Sequence, residues 1–208
     1  MTSLPPLDSY QWPPSTETLA EQVGLSPDQM LRFDGNVPAQ PPVVARPATI
    51  ARALADINEY DRGRYFPLRE AIAAYHGVTA DQVVLGAGSD ELIVLCARMF
   101  APNGTVATVP AKSYSMYRFA AGMAGATLID DPQKADLVYV CRPNNPTGEL
   151  PDIPTVPGQL VIDEAYADYA GVTALDLVDQ GVIVLRTFSK AFGLAGARVG
   201  YAITTPEL

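Results

Sequence analysis

The stretch Val182-Ile183-Val184-Leu185-Arg186-Thr187-Phe188-Ser189-Lys190-Ala191-Phe192-Gly193-Leu194-Ala195-Gly196-Ala197-Arg198 decides how the rest of the chain is read. Val182 to Leu185 is a short, β-branched apolar run, which predicts a buried strand. Two hydroxyls and an amine follow at its end, then glycines, then Arg198. A lysine desolvated at such a place gives up its proton more readily, because burial disfavours the ammonium, and the free amine is the form that makes Schiff bases. Hydroxyls, a glycine-permitted turn and a guanidinium are the groups that gather around a phosphate. A phosphate beside a nucleophilic lysine suggests pyridoxal phosphate; the plainer reading is a surface lysine at a strand–helix junction.

Working outward, short β-branched strands are predicted near 82–86, 105–109, 126–129, 137–141, 160–163, 182–186 and 198–203. Helical stretches fall between them near 89–100, 114–124 and 173–180. This alternation predicts an α/β fold with a mainly parallel sheet flanked by helices and ligand sites at strand ends. Farther upstream, Ile50, Ala53, Leu54 and Ile57 recur at helical spacing, and Pro67 and Gly77 mark the start and stop of another helix. Positions 1–47 are rich in proline and polar residues, with one helical pattern at Thr16 to Val23. Leu19 to Ser26 has the look of half a helix-turn-helix, but Phe33-Asp34-Gly35-Asn36 breaks the helix where a recognition helix would continue.

With 208 residues, 48% of them apolar, the chain can bury the core of one domain, or of one domain and part of another. A net charge of −9 argues against nucleic acid or an anionic membrane as the main partner. The start, Met1 to Pro6, has neither the basic region nor the apolar core of a signal peptide, and no run is long enough to span a bilayer. Cys96 and Cys141 sit in apolar patterns and read as buried free thiols of a cytoplasmic protein. One histidine and two scattered cysteines give no metal-site spacing, so no metal is expected. His76, just before Gly77, is expected to cap the end of its helix.

Four further segments carry chemistry. Gly86-Ala87-Gly88-Ser89-Asp90-Glu91 follows a strand and opens a helix, where glycines allow close backbone approach and the first amides point at an anion. Ser89 could serve there as N-cap, and Asp90 and Glu91 must turn outward if a phosphate is to sit nearby. Asn144-Asn145 between prolines, at the end of strand 137–141, makes a rigid loop that presents an amide above the sheet. Asp163 ends another apolar strand; a buried aspartate needs a cationic partner, and a protonated pyridine nitrogen would be one. Tyr166, three residues on, could reach the ring's phenolic oxygen, and Tyr114 could stack on the ring or pack in the core.

Together these motifs resemble the fold-type I pyridoxal-phosphate-dependent aminotransferases, most of all the histidinol-phosphate aminotransferase branch. The resemblance runs from about Leu19 to Leu208 and rests on Gly88-Ser89-Asp90-Glu91, Asn145-Pro146-Thr147-Gly148, Asp163-Glu164-Ala165-Tyr166 and Ser189-Lys190 with Arg198, in that order. It implies that Lys190 holds the cofactor as a Schiff base and then shuttles a proton. It implies that Asp163 pairs with the pyridine nitrogen, that Asn145 and Tyr166 bond the phenolic oxygen, and that Tyr114 stacks on the ring. The amides around Ser89, Asp90 and Glu91, with Thr187, Ser189 and Arg198, would hold the phosphate. Tyr60 would reach the phosphate of a neighbouring subunit, which implies a homodimer, and Asn36 stands where a substrate-side segment lies. The implied substrates are a small-molecule amino donor and a 2-oxo acid, in histidine biosynthesis.

This chain also departs from the family. Its substrate-side segment, Asn36-Val37-Pro38, lacks the family's acid; Tyr60 is followed by aspartate where the family has proline; and Lys112-Ser113 replaces a usual Pro-Thr. Members continue for well over a hundred further residues into a C-terminal small domain. The resemblance therefore casts residues 1–47 as an arm with part of the small domain, and 48–208 as an incomplete cofactor domain. Three functions share these residues: an aminotransferase, a decarboxylase like those acting on threonine phosphate, and a cofactor-binding protein without turnover.

Overall fold

The computed structural model describes residues 13–39, 42, 47–55, 58–61, 63 and 65–208. Among these residues seven strands form one sheet: β1 (Val83–Gly86), β2 (Thr105–Val109), β3 (Thr127–Leu128), β4 (Leu137–Cys141), β5 (Gln159–Asp163), β6 (Ile183–Thr187) and β7 (Gly200–Ile203). Their order is β1-β7-β6-β5-β4-β2-β3. The stretch from β3 to β6 is parallel throughout, whereas β7 runs antiparallel to both β6 and β1. The sheet is thus mainly parallel, as expected, and the strands lie at most two residues from the ranges predicted.

The helices are α1 (Thr16–Val23), α2 (Pro47–Ala55), α3 (Phe66–His76), α4 (Ser89–Phe100), α5 (Met116–Met123) and the single turn α6 (Ala167–Ala170). α3 begins with proline in its first turn and ends on Gly77 at φ +70°, the left-handed cap that glycine adopts without a Cβ penalty. Ile57, expected in the second helix, lies outside the described residues. The stretch predicted as a helix at 173–180 is instead a 3-10 turn, Leu175–Gln180, halted by Gly181 at φ +84°. The left-handed Gly181 ends the segment after six residues, and a run this short is satisfied by the tighter 3-10 bonding. No recognition-type helix follows α1: a 3-10 turn at Pro27–Gln29 leads into a non-helical segment through Pro38.

Both faces of the sheet are covered, so β4 and β6 are buried at every position. Side chains alternate between two cores. Leu137, Tyr139, Cys141, Val161, Ile183 and Leu185 pack beneath α4 and α5 with Leu92, Ile93, Ala97, Tyr117 and Ala120. Val138, Val140, Ile162 and Val184 pack on the other face with Ile72, Val178 and Tyr201. Burying a side chain such as Ile93 completely contributes roughly 1.5–3 kcal/mol. The same alternation sorts the strand ends. Asp163 and Thr187 continue the α4/α5 face, while their neighbours Glu164 and Arg186 belong to the other.

Candidate active site

The chain leaves β1 near one edge of the sheet and re-enters at β2 near the other, so the carboxyl ends of the central strands border a crevice. A hollow of about 290 Å³ lies there. Of the sequence-predicted residues, Ser89, Asp90, Tyr114, Asn145, Asp163, Tyr166, Thr187, Ser189, Lys190 and Arg198 line it. They come from five separate segments, and the sheet register explains their meeting: Cys141 pairs with Asp163, Asp163 with Leu185, and Thr187 with Gly200.

Asp163 is fully buried. Tyr117 donates its hydroxyl to Asp163 Oδ2 at 2.8 Å, and the Ala165 amide donates to Oδ1 at 3.0 Å. Burial pushes its carboxyl above the usual aspartate range; the two donors act in the opposite sense. Among the described residues no cation forms an ion pair with it. Lys190 donates from Nζ to the Gly35 carbonyl at 2.9 Å and lies 5.5 Å from the centre of the Tyr166 ring. Partial burial holds its amine below the ordinary lysine value. Tyr166 accepts from Asn36 Nδ2 at 3.2 Å, and burial raises its phenol. Asn36 itself borders a second hollow beside the first, shared with Asn145, Tyr166 and Tyr169.

At the other end of the hollow the backbone turns through Gly88 at φ +80° into α4. A Cβ on Gly88 would stand 2.6 Å from Arg198 Nη2, and a Cβ on Gly200 would stand 2.5 Å from the Ser89 nitrogen. Two bare glycines thus allow β7, the guanidinium and the helix start to converge. Thr187 Oγ1 lies 3.0 Å from Ser189 Oγ and accepts from the Ser189 amide at 3.1 Å, so both hydroxyls face the same end.

Several expectations need correction. Gly88, not Ser89, is the N-cap of α4, and no side chain caps it. Glu91 does turn away: its carboxylate accepts from the Ala87 amide at 2.7 Å and fixes the loop rather than lining the hollow. Asp90 does not turn away. It accepts from the Tyr114 hydroxyl at 3.1 Å and lies 3.5 Å from Arg198 Nη2, which offsets its charge. Tyr114 precedes α5 instead of starting it, because the helix begins at Met116. Tyr60 is 95% exposed and outside the hollow. His76 caps nothing with its ring: Nε2 pairs with the Tyr201 hydroxyl at 2.8 Å, and burial together with nearby Arg186 lowers it to about 4.

Sequence reasoning missed Tyr117 and Cys141, both at the floor of the site, because each reads as an apolar core position. It also missed the buried pair of Glu164 and Arg186, bonded at 2.7 and 2.9 Å under the opposite face. Burial raises both cysteines, Cys96 to about 12 and Cys141 to about 11, and neither is in a disulfide. Among the described residues no cluster could hold a metal ion, and no helix is long and apolar enough to cross a membrane.

The residues present fit pyridoxal phosphate on three counts. A buried carboxylate has neutral donors only, an amine of depressed basicity borders the same hollow, and a glycine-lined cradle faces a guanidinium and two hydroxyls. Comparison with known proteins agrees with the fold. A histidinol-phosphate aminotransferase of Methanothermobacter thermautotrophicus is 33% identical over 93% of this chain and 60% of its own length. That of Thermococcus kodakarensis is 39% identical over 73% of this chain and 52% of its own. The crystal structure of histidinol-phosphate aminotransferase from Sinorhizobium meliloti, in complex with pyridoxal-5'-phosphate, superposes with a TM-score of 0.79 at 27% identity, covering all of this chain and 64% of that one. The chain therefore spans about half to two thirds of the length of these relatives. The family model for aminotransferase class I and II matches residues 20–208, and the chain belongs to that family.

Proposed function

We propose that this chain is the cofactor-binding part of a pyridoxal-phosphate-dependent aminotransferase of the histidinol-phosphate type. It would move an amino group between a small amine and a 2-oxo acid. The observation that carries the reading is the convergence of Lys190, Asp163, Asn145, Tyr166 and Arg198 on one hollow. The cofactor, when bound, supplies an electron-withdrawing ring and a carbon that amines condense with.

The chain's own residues do the rest. Lys190 Nζ, partly desolvated, would be the amine that holds the cofactor and the base that takes the proton from the substrate's α-carbon. Asp163 would keep the ring nitrogen protonated, and Asn145 and Tyr166 would bond the phenolic oxygen. Tyr114 would stack on the ring. The Ser89 and Asp90 amides, at the positive end of α4, would hold the phosphate together with Thr187, Ser189 and Arg198. Glu91 shapes that loop, and Asn36 lies on the substrate side. Tyr60, exposed here, would reach the phosphate site of a second copy in a homodimer, and the protein would work in the cytoplasm. Relatives named histidinol-phosphate aminotransferases favour amino transfer over decarboxylation. The reading is tested by trapping pyridoxal phosphate on Lys190 by reduction, and it fails if the label goes elsewhere.

A further inference from the structure

Beneath the hollow stands a column of three tyrosines. Tyr117 stacks on Tyr139 with centroids 4.8 Å apart and planes 11° from parallel, and Tyr114 meets Tyr117 edge-on at 5.8 Å. Tyr139 anchors the column by donating its hydroxyl to the Ile93 carbonyl in α4 at 2.6 Å. Tyr117 has no exposed surface, and its one side-chain hydrogen bond to a charged group goes to Asp163. A fully buried phenol stacked on one ring and met edge-to-face by another cannot swing away, so its hydroxyl is aimed at Oδ2 by packing.

We propose that Tyr117 is a positioning residue for the reaction: its hydroxyl holds Asp163 in the carboxylate form and so keeps the proton on the ring nitrogen of the bound cofactor. The inference rests on the pyridoxal phosphate reading above. The proton shared by a carboxylate and a pyridine goes to whichever is the stronger base. A donor on the far carboxylate oxygen weakens the carboxylate as a base and shifts the proton to the ring. Tyr117 remains a donor throughout the working range, because burial and the neighbouring Asp163 push its own ionisation far up. The charged and titratable groups that bear on Asp163 are Tyr117 from α5, Tyr139 and Cys141 from β4, Tyr166 from the turn after β5, Asp90 from α4 and Lys190 from the segment after β6. Asp90 and Lys190 bear on Asp163 in opposite senses. Apart from the amide of Ala165, Tyr117 is the donor that touches the carboxylate.

The test is nitrogen-15 NMR on protein reconstituted with pyridoxal phosphate labelled at the ring nitrogen, at a pH where the ring nitrogen and Asp163 share one proton. Tyr117→Phe keeps the stacked ring and removes only the hydroxyl. It is expected to move the ratio of nitrogen-protonated to carboxyl-protonated forms about tenfold toward Asp163, seen as a shift of the resonance toward its unprotonated position. Tyr139→Phe, which alters the same column without touching Asp163, leaves the resonance in place. An unmoved resonance in Tyr117→Phe, or an equal shift in Tyr139→Phe, overturns the proposal. If Tyr117→Phe does not fold, 3-fluorotyrosine at position 117 serves instead. As a stronger donor it moves the resonance toward its protonated position, and no change there is equally fatal. Wild-type protein that takes up no labelled cofactor overturns this inference and the proposed function together, whereas normal uptake with an unmoved resonance overturns this inference alone.

Discussion

Glu164→Gln and Arg186→Met probe the ion pair under the site, and each is expected to destabilise the protein heavily. Glu164 has no exposed side-chain surface, and Arg186 has 7%. The glutamate accepts from Arg186 Nη2 at 2.7 Å, Arg186 Nε at 2.9 Å, Thr173 Oγ1 at 3.0 Å and the Ala174 amide at 2.6 Å. Removing one member of such a pair strands the other in a place that water does not reach, at a cost of about 3–5 kcal/mol. In Glu164→Gln the amide oxygen can still accept and Asp168 stays 3.1 Å from Arg186, so this variant belongs at the lower end of that range. The double variant Glu164→Gln/Arg186→Met removes both charges and should cost at least 2 kcal/mol less than the sum of the singles, roughly the coupling of directly bonded residues. Urea unfolding at pH 7 gives all three values. Single variants costing less than about 1 kcal/mol, with an additive double, would mean that the pair behaves as a surface bridge and that the reasoning is wrong. The pair matters for the site because Glu164 adjoins Asp163 on β5 and Arg186 adjoins Thr187 on β6. It fastens together the two strand ends that set the carboxylate against the lysine segment.

The native state holds His76 near 4, below its ordinary 6.5, so the unfolded chain binds the extra proton and stability falls as pH drops through that window. His76→Gln should flatten this part of the stability profile measured by thermal unfolding, and an unchanged slope would refute it. Gly88→Ala places a Cβ against the Arg198 guanidinium at a φ that side chains rarely adopt. Pyridoxal phosphate should bind at least tenfold more weakly by fluorescence titration, whereas unaltered affinity would show that the cradle is not the phosphate site.

The sequence made the sheet legible because its strands are short β-branched runs separated by glycine, proline and asparagine, a pattern set by local chemistry. Lys190, Asp163 and Asn145 were legible for a different reason: each ends a strand or follows one, and strand ends in such sheets face the ligand; Arg198, which precedes β7, was legible from its spacing to Lys190. The antiparallel course of β7 was not legible, since direction depends on which edge a strand joins and not on its own residues. Nor was Tyr117, which sits on a helix face indistinguishable by spacing from its alanine neighbours Ala120 and Ala121. Glu164 and Asp163 are adjacent acids in sequence, and only the alternation of a strand sends one to the site and the other to the far face. The inward turn of Asp90 depended on Arg198, more than a hundred residues away, a contact that no local pattern encodes.

The central claim is that Lys190 is the point of attachment for pyridoxal phosphate. The most direct measurement incubates the protein with the cofactor, reduces it with borohydride and locates the added mass by peptide mass spectrometry. The mass should fall on the peptide containing Lys190. Its uptake should rise with pH at a midpoint below that of an ordinary lysine, because burial depresses the amine. In Lys190→Ala that label should vanish. Label on Lys112 or Lys134, the other lysines of the chain, or undiminished uptake in Lys190→Ala, would contradict the account.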